Sequence, residues 1–171
     1  MQFLPTKIPD VILVEVPKFV DHRGFFMETY HAEKFGEGGI SATFIQNNHA
    51  SSQKDILRGL HYQLKYPQGK LIRCIQGEIL DICVDIRKSS PTFGHWIGEI
   101  LSSENARQLY VPPGFAHGYV VRSERAEVEY KCTELYHPED DYGILWNDPE
   151  IGIDWGIESP ILSEKDKQQP L

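Results

Sequence analysis

The sequence predicts an all-β fold, a sandwich or jelly-roll β-barrel with short peripheral helices. Three observations carry that expectation. Short runs in which apolar and polar residues alternate recur along most of the chain, as in half-buried strands. Clusters of Gly, Pro, Asn and Asp separate the runs. Helix signals are confined to two brief stretches, 31–36 and 163–167.

Taken in order, VILVEV (11–16) reads as a first strand. GFFMETY (24–30) reads as a second, launched by a turn at Asp21-His22-Arg23-Gly24. HAEKFG (31–36) is a brief helix that ends at the glycine cluster of 36–39, and ATFIQNNHA (42–50) is another strand. In DILRGLHYQL (55–64), period two puts Leu57, Gly59, His61 and Gln63 on one face. Arg58, Leu60, Tyr62 and Leu64 then take the other, and Gly59 would leave room beside the His61 imidazole.

The clearest pattern is KLIRCIQGEILDICVDIRK (70–88). Gly77 marks a turn, after which Leu80, Ile82, Val84 and Ile86 alternate with Asp81, Cys83, Asp85 and Arg87. Further strands follow at 96–101, at 107–111, in GYVVRS and in AEVEYKCTELY, where Ala126, Val128, Tyr130 and Cys132 share a face. The tail from Asn147 is loop-like, with a capping-type start at Ser163. No repeat or linker interrupts the series, so residues 1–171 are expected to form one domain.

Composition narrows the function classes. With 40% hydrophobic and 25% charged residues the chain should fold around a core. A formal charge of −8 argues against non-specific nucleic-acid binding, which needs a basic face. It leaves room for an anionic small molecule held by a few arginines. Three cysteines with no C-x-x-C pair give neither a disulfide framework nor a zinc site. The N-terminus, MQFLPTKIPD, does not read as a signal peptide, and no segment reads as a membrane span. The expectation is a soluble cytoplasmic protein.

A barrel with a mostly apolar interior needs a reason for each polar residue that faces inward. Tyr130 shares a face with Ala126 and Val128, and His61 with Leu57 and Gly59. A histidine and a tyrosine converging in one cavity could act as base and acid, although each could also be a core residue satisfied by local hydrogen bonds. Lys70 opens a strand; QGKL lacks the spacing of a P-loop, but an inward ammonium would suit a developing oxyanion. PPGFAHGYV (112–120) contains P-x-G-x-x-H, which resembles the second motif of metal-binding cupins. The first cupin motif would need H-x-H, and His61-Tyr62-Gln63 supplies one histidine; with His117 that is thin coordination, so no metal is expected.

These strings together resemble the dTDP-4-dehydrorhamnose 3,5-epimerase family of the cupin superfamily. The resemblance rests on DHRGFFMETY (21–30), QNNHAS (46–51), LRGLHYQ (57–63), the long run 67–96, PPGFAHGY (112–119), YKCTELY (130–136), GILWNDPEIGIDW (143–155) and ILSEKD (161–166). It implies a cupin jelly roll and an enzyme acting on a dTDP-sugar without a cofactor. It also implies a homodimer whose N-terminal strands cross to the partner. Carried over residue by residue, it makes His61 the base and Tyr130 the acid. Lys70 lies near the sugar oxygen, and Asp166 orients the histidine. Arg23, Glu28, Gln46, Asn48, Arg58, His117, Asp141 and Lys165 fall on ligand-binding positions.

The implied chemistry suits these side chains. A C4 ketone acidifies the protons at C3 and C5. A histidine, with a reference pKa of ~6.5, can remove one, and a lysine can offset the enolate charge. A tyrosine can then return a proton to the opposite face. Arg23 and Arg58 would hold the diphosphate, and Phe26 or Tyr30 could stack on the base. Open alternatives are a monofunctional 3- or 5-epimerase, a cupin ketoisomerase and a non-catalytic sugar-nucleotide-binding cupin.

Overall fold

A computed structural model describes residues 1–171. The strands and helices in chain order are β1 (Gln2–Pro5), β2 (Ile12–Glu15), β3 (Phe19–Asp21), β4 (Gly24–Phe26), α1 (Ala32–Glu37), β5 (Gln46–Gln53), β6 (Leu57–Gln63), β7 (Lys70–Gln76), β8 (Glu78–Asp85), β9 (Trp96–Ser102), β10 (Arg107–Val111), β11 (Phe115–Val121), β12 (Arg125–Cys132), β13 (Asp141–Gly143) and α2 (Glu164–Lys167). Six strands form one sheet in the order β1-β2-β10-β7-β12-β5. Five form a second, β13-β6-β11-β8-β9, and β3 with β4 makes a separate ribbon.

The two larger sheets face each other as a jelly roll, and the alternation of their strands explains why. Ile72 and Cys74 of β7, Leu109 and Val111 of β10, and Ala126 and Val128 of β12 point from one sheet. Ile79 and Cys83 of β8, and Phe115, Tyr119 and Val121 of β11, point back from the other. All are buried in one cluster. At about 25 cal/mol per Å² of apolar surface, each large side chain there contributes roughly 1.5–3 kcal/mol. Gly77 makes the tight β7–β8 turn at φ +78°; a Cβ on it would lie 2.1 Å from the Arg125 carbonyl oxygen.

The other face of β8 carries Leu80, Ile82 and Val84, which look away from that core. They are covered by the chain after β13, through Ile144, Trp146, Ile151, Ile153, Trp155 and Leu162. The Trp155 indole N–H donates to the Trp146 carbonyl at 2.7 Å. A short parallel bridge joins Ile161 to Ile56. The tail expected to be loop-like is therefore pinned along the sheet, and it delivers α2 to the barrel mouth. Ser163 caps α2 as expected: its Oγ accepts from the Asp166 backbone N–H at 3.1 Å.

Several boundaries differ from expectation. The strand expected over 24–30 stops at Phe26, because Met27 and Tyr30 turn into a third apolar cluster around Phe35 and Ile40. Ala42 and Phe44 are drawn into the same cluster, so pairing of β5 with β12 starts only at Gln46. The edge strands β1 and β13 were not expected; both are short and at sheet margins. No helix is long and apolar enough to cross a membrane.

Candidate active site

The site begins with a slip in strand pairing. His117 of β11 pairs with His61 of β6, but Tyr119 pairs with Arg58, so β6 carries one extra residue between the two pairs. Such a bulge breaks the two-residue period. Leu57, Leu60 and Tyr62 pack in the outer cluster, while Arg58 and His61 both line a cavity between the sheets. The expectation that Arg58 and His61 occupy opposite faces is thereby corrected. So is the role of Gly59: at φ +127°, its Cβ would lie 2.6 Å from Gly118 Cα and 2.8 Å from the His117 carbonyl oxygen. The missing side chain lets two backbones meet and makes no room beside the imidazole.

The cavity has a volume of about 550 Å³ and is lined by Arg58, His61, Lys70, His117, Tyr130, Asp141, Lys165 and Asp166, among others. An adjoining cavity of about 290 Å³ shares His61, Lys70, Tyr130 and Asp141 and adds Gln46 and Asn48. The fold thus gathers every expected site residue except Arg23 and Glu28. Arg23 sits at the tip of the β3–β4 ribbon, where its Nε donates to Asp21 Oδ2 at 3.1 Å. Glu28 accepts from Lys34 Nζ at 2.6 Å on the surface. Neither expected stacking aromatic lines the cavity. Phe26 lies on the ribbon, and Tyr30 packs edge-on against Phe44 with ring centres 5.5 Å apart.

His61 Nε2 lies 2.6 Å from Asp166 Oδ1. Burial pushes the Asp166 carboxyl up, but the hydrogen bond and charge of His61 outweigh it, leaving Asp166 below its usual range. An ionised carboxylate only accepts hydrogen bonds, so Nε2 carries the proton and donates. Nδ1 has no partner in the protein and is not shut off from the cavity. The dyad therefore presents a basic nitrogen to whatever binds there.

Across the cavity, burial pushes the Tyr130 phenol up to about 12, with smaller contributions from the Cys132 thiol and Tyr119. It is a phenol that holds its proton at neutral pH. Lys70, also half-buried, is shifted the other way. Burial lowers its ammonium below the usual lysine range, against the opposing pull of Cys132, Asp81 and Asp141. Arg58 donates from Nε to Ser52 Oγ at 3.0 Å, which leaves the terminal guanidinium nitrogens for an anion.

The rim is tied by polar contacts. Lys165 Nζ pairs with Asp141 Oδ2, and the Tyr136 hydroxyl donates to the same oxygen at 2.9 Å. Gln46 donates to Asn48 Oδ1 at 3.1 Å and accepts the Tyr136 backbone N–H at 2.8 Å. Tyr136, half exposed and lining both cavities, is an aromatic face available to a ring. Sequence reasoning assigned it no role; the strand expected over AEVEYKCTELY ends at Cys132, so Tyr136 reaches the cavity from the loop beyond β12. Asp81 was also missed and lies behind His117 with its carboxylate against Nε2. The chain gathers no group of three or more His, Cys, Asp or Glu side chains able to hold a metal ion.

The family model described as dTDP-4-dehydrorhamnose 3,5-epimerase matches residues 5–171. The chain belongs to that family. A dTDP-4-dehydrorhamnose 3,5-epimerase of Pseudomonas aeruginosa is 54% identical over 163 residues, covering 94% of this chain and 90% of the relative. The crystal structure of the Legionella pneumophila dTDP-6-deoxy-D-glucose-3,5-epimerase, in complex with dTDP-4-keto-L-rhamnose, superposes with a TM-score of 0.96 at 46% identity. That match covers 99% of this chain and 92% of the other. The Bacillus anthracis dTDP-4-dehydrorhamnose 3,5-epimerase, with TDP and pyrophosphate bound, gives a TM-score of 0.97 at 45% identity over 99% and 98% of the two chains. Membership of the dTDP-4-dehydrorhamnose 3,5-epimerase family makes this chain an isomerase with a cupin-like jelly roll.

Proposed function

We propose that the protein inverts C3 and C5 of dTDP-4-keto-6-deoxy-D-glucose, giving dTDP-4-keto-L-rhamnose. The observation that carries this reading is the His61–Asp166 dyad, open at Nδ1, in one cavity with Tyr130 and Lys70. His61 Nδ1 takes the proton from the carbon next to the C4 ketone, and the electron pair moves onto the ketone oxygen. Lys70 steadies the resulting enolate; one such donor is typically worth ~3 kcal/mol. Tyr130 returns a proton to the opposite face; the phenolate then regains one from solvent and the His61 imidazolium releases its own to solvent. Repetition at the second carbon completes the reaction. Arg58 holds the diphosphate, and Asp141, Lys165, Gln46 and Asn48 bind the nucleotide side of the ligand.

The working unit is a homodimer in the cytoplasm. Arg23 lies outside this chain's own cavity, on a ribbon whose Phe19, Val20, Phe25 and Phe26 are all more than half exposed. A ribbon of that composition suits a neighbouring subunit's surface, and there Arg23 would complete the partner's diphosphate site. Three buried free cysteines suit a reducing compartment. The test is product analysis: incubation with dTDP-4-keto-6-deoxy-D-glucose followed by reduction should give the L-rhamno configuration. A sugar inverted at one carbon would identify a monofunctional epimerase, and an unchanged sugar would contradict the reading.

A further inference from the structure

Asp81 is buried with 0% exposure on the core face of β8, between Ile79 and Cys83. A buried carboxylate is costly unless something repays its desolvation, and an apolar side chain would fill the same space more cheaply. Its one side-chain partner is His117: both carboxylate oxygens lie 3.0 Å from Nε2. That is the geometry of an N–H directed between two acceptors. His117 is itself 7% exposed and lines the cavity, and its Nδ1 has neither a protein partner nor a sealed position. His117 and His61 are register partners on neighbouring strands. Two imidazoles thus stand side by side, each with Nε2 on a buried carboxylate and Nδ1 open to one cavity.

We infer that Asp81 is a positioning residue: it holds His117 with Nε2–H toward β8 and the Nδ1 lone pair toward the sugar, where it accepts a hydrogen bond from a sugar hydroxyl. The inference rests on the proposed epimerase reading for its ligand, but the arrangement is a property of the chain itself. Without the carboxylate, the imidazole is free to take the opposite tautomer, with a donor where the ligand presents a donor. His61 has Asp166 for this purpose, so Asp81 is needed for His117 alone.

Three measurements test this together. Long-range proton–nitrogen NMR of the wild-type protein, recorded well above the ~6.5 reference pKa of histidine, should show His117 as the Nε2–H tautomer. The Nδ1–H tautomer would overturn the inference, whether or not any variant folds. Calorimetry should show that Asp81→Asn weakens binding of dTDP-glucose while leaving that of dTDP unchanged; equal weakening of both would contradict a role at the sugar. The tautomer readout, which needs no ligand, survives even if the epimerase reading fails. In kinetics, Asp81→Asn should lower kcat/KM by about 10–100-fold, by analogy with the loss seen when the carboxylate orienting a metal-binding histidine is removed. In a His117→Asn background the same change should cost less than about twofold, because the two residues act as one unit. An equal cost in both backgrounds would mean that Asp81 acts on the fold and not through His117.

Discussion

In the proposed reaction the chemistry at His61 turns on one hydrogen bond to Asp166, a residue 105 positions further along the chain. The dyad fixes a base, but inversion also needs a proton from the other face, and Tyr130 keeps its own because burial pushes its phenol up to about 12. Tyr130→Phe should therefore leave proton abstraction working while little sugar inverts, a split measurable by comparing solvent exchange with product formation. Loss of exchange and inversion in equal measure would assign Tyr130 to the base side. Lys70 gives a pH signature. Its ammonium is held below the usual lysine range, chiefly by burial, and only the charged form offsets an enolate. Activity should fall as pH rises through that lowered value, below the ordinary lysine range near ~10.4. Arginine stays charged, so in Lys70→Arg the alkaline limb should move up or disappear in a kcat/KM profile. Tyr130 was legible as an inward residue from its strand's alternation, and His61 only as a match to known strings. Asp81 was not, because an aspartate alternating with Leu80 and Ile82 reads equally well as a solvated face.

At the scale of elements, the bulge between β6 and β11 decides which side chains share the cavity. A two-residue period separates Arg58 from His61, and only the extra residue at Gly59-Leu60 brings them to the same side. Nothing in a single strand's pattern marks such a slip, since register belongs to the pair. Gly59→Ala tests it. A Cβ there would overlap Gly118 Cα at a φ of +127°. Backbone strain of about 1–3 kcal/mol and overpacking of a further ~1–3 kcal/mol should add, lowering the denaturation midpoint strongly. Activity per folded molecule should fall as well, because Arg58 and His61 flank the forced opening. A variant with unchanged stability would show that the close backbone approach is not required. The helices and most strand centres were readable from their own residues. The ends were not, because Met27, Tyr30 and Phe44 are claimed by a cluster that only the folded chain assembles.

For the whole molecule, the chain after β13 has two tasks. It covers the outer face of the five-stranded sheet and carries Ser163, Lys165 and Asp166 to the cavity. Strand β8 is thus buried on both faces, by the core on one side and the tail on the other, which alternation alone could not foretell. The ribbon is the complementary case, since its exposed apolar side chains and Arg23 lie outside the cavities that gather the other site residues. If Arg23 serves the partner, Arg23→Ala and His61→Asn subunits should rescue each other. Co-refolded equal mixtures should recover roughly a quarter of wild-type activity, because half the dimers are mixed and each of those holds one intact site. No recovery above the sum of the separate variants would place Arg23 at its own chain's site or at none.

Solvent exchange at the two sugar carbons tests the central claim most directly. Proton NMR of dTDP-4-keto-6-deoxy-D-glucose in deuterated water should show the protons at both C3 and C5 replaced by deuterium as product forms, since each carbon passes through an enolate that is reprotonated from solvent-derived hydrogen. The His61→Asn variant should wash in neither. Deuterium at one carbon only, with the other proton retained through long incubation, would contradict double inversion. Exchange in His61→Asn equal to that of the wild type would place the base elsewhere.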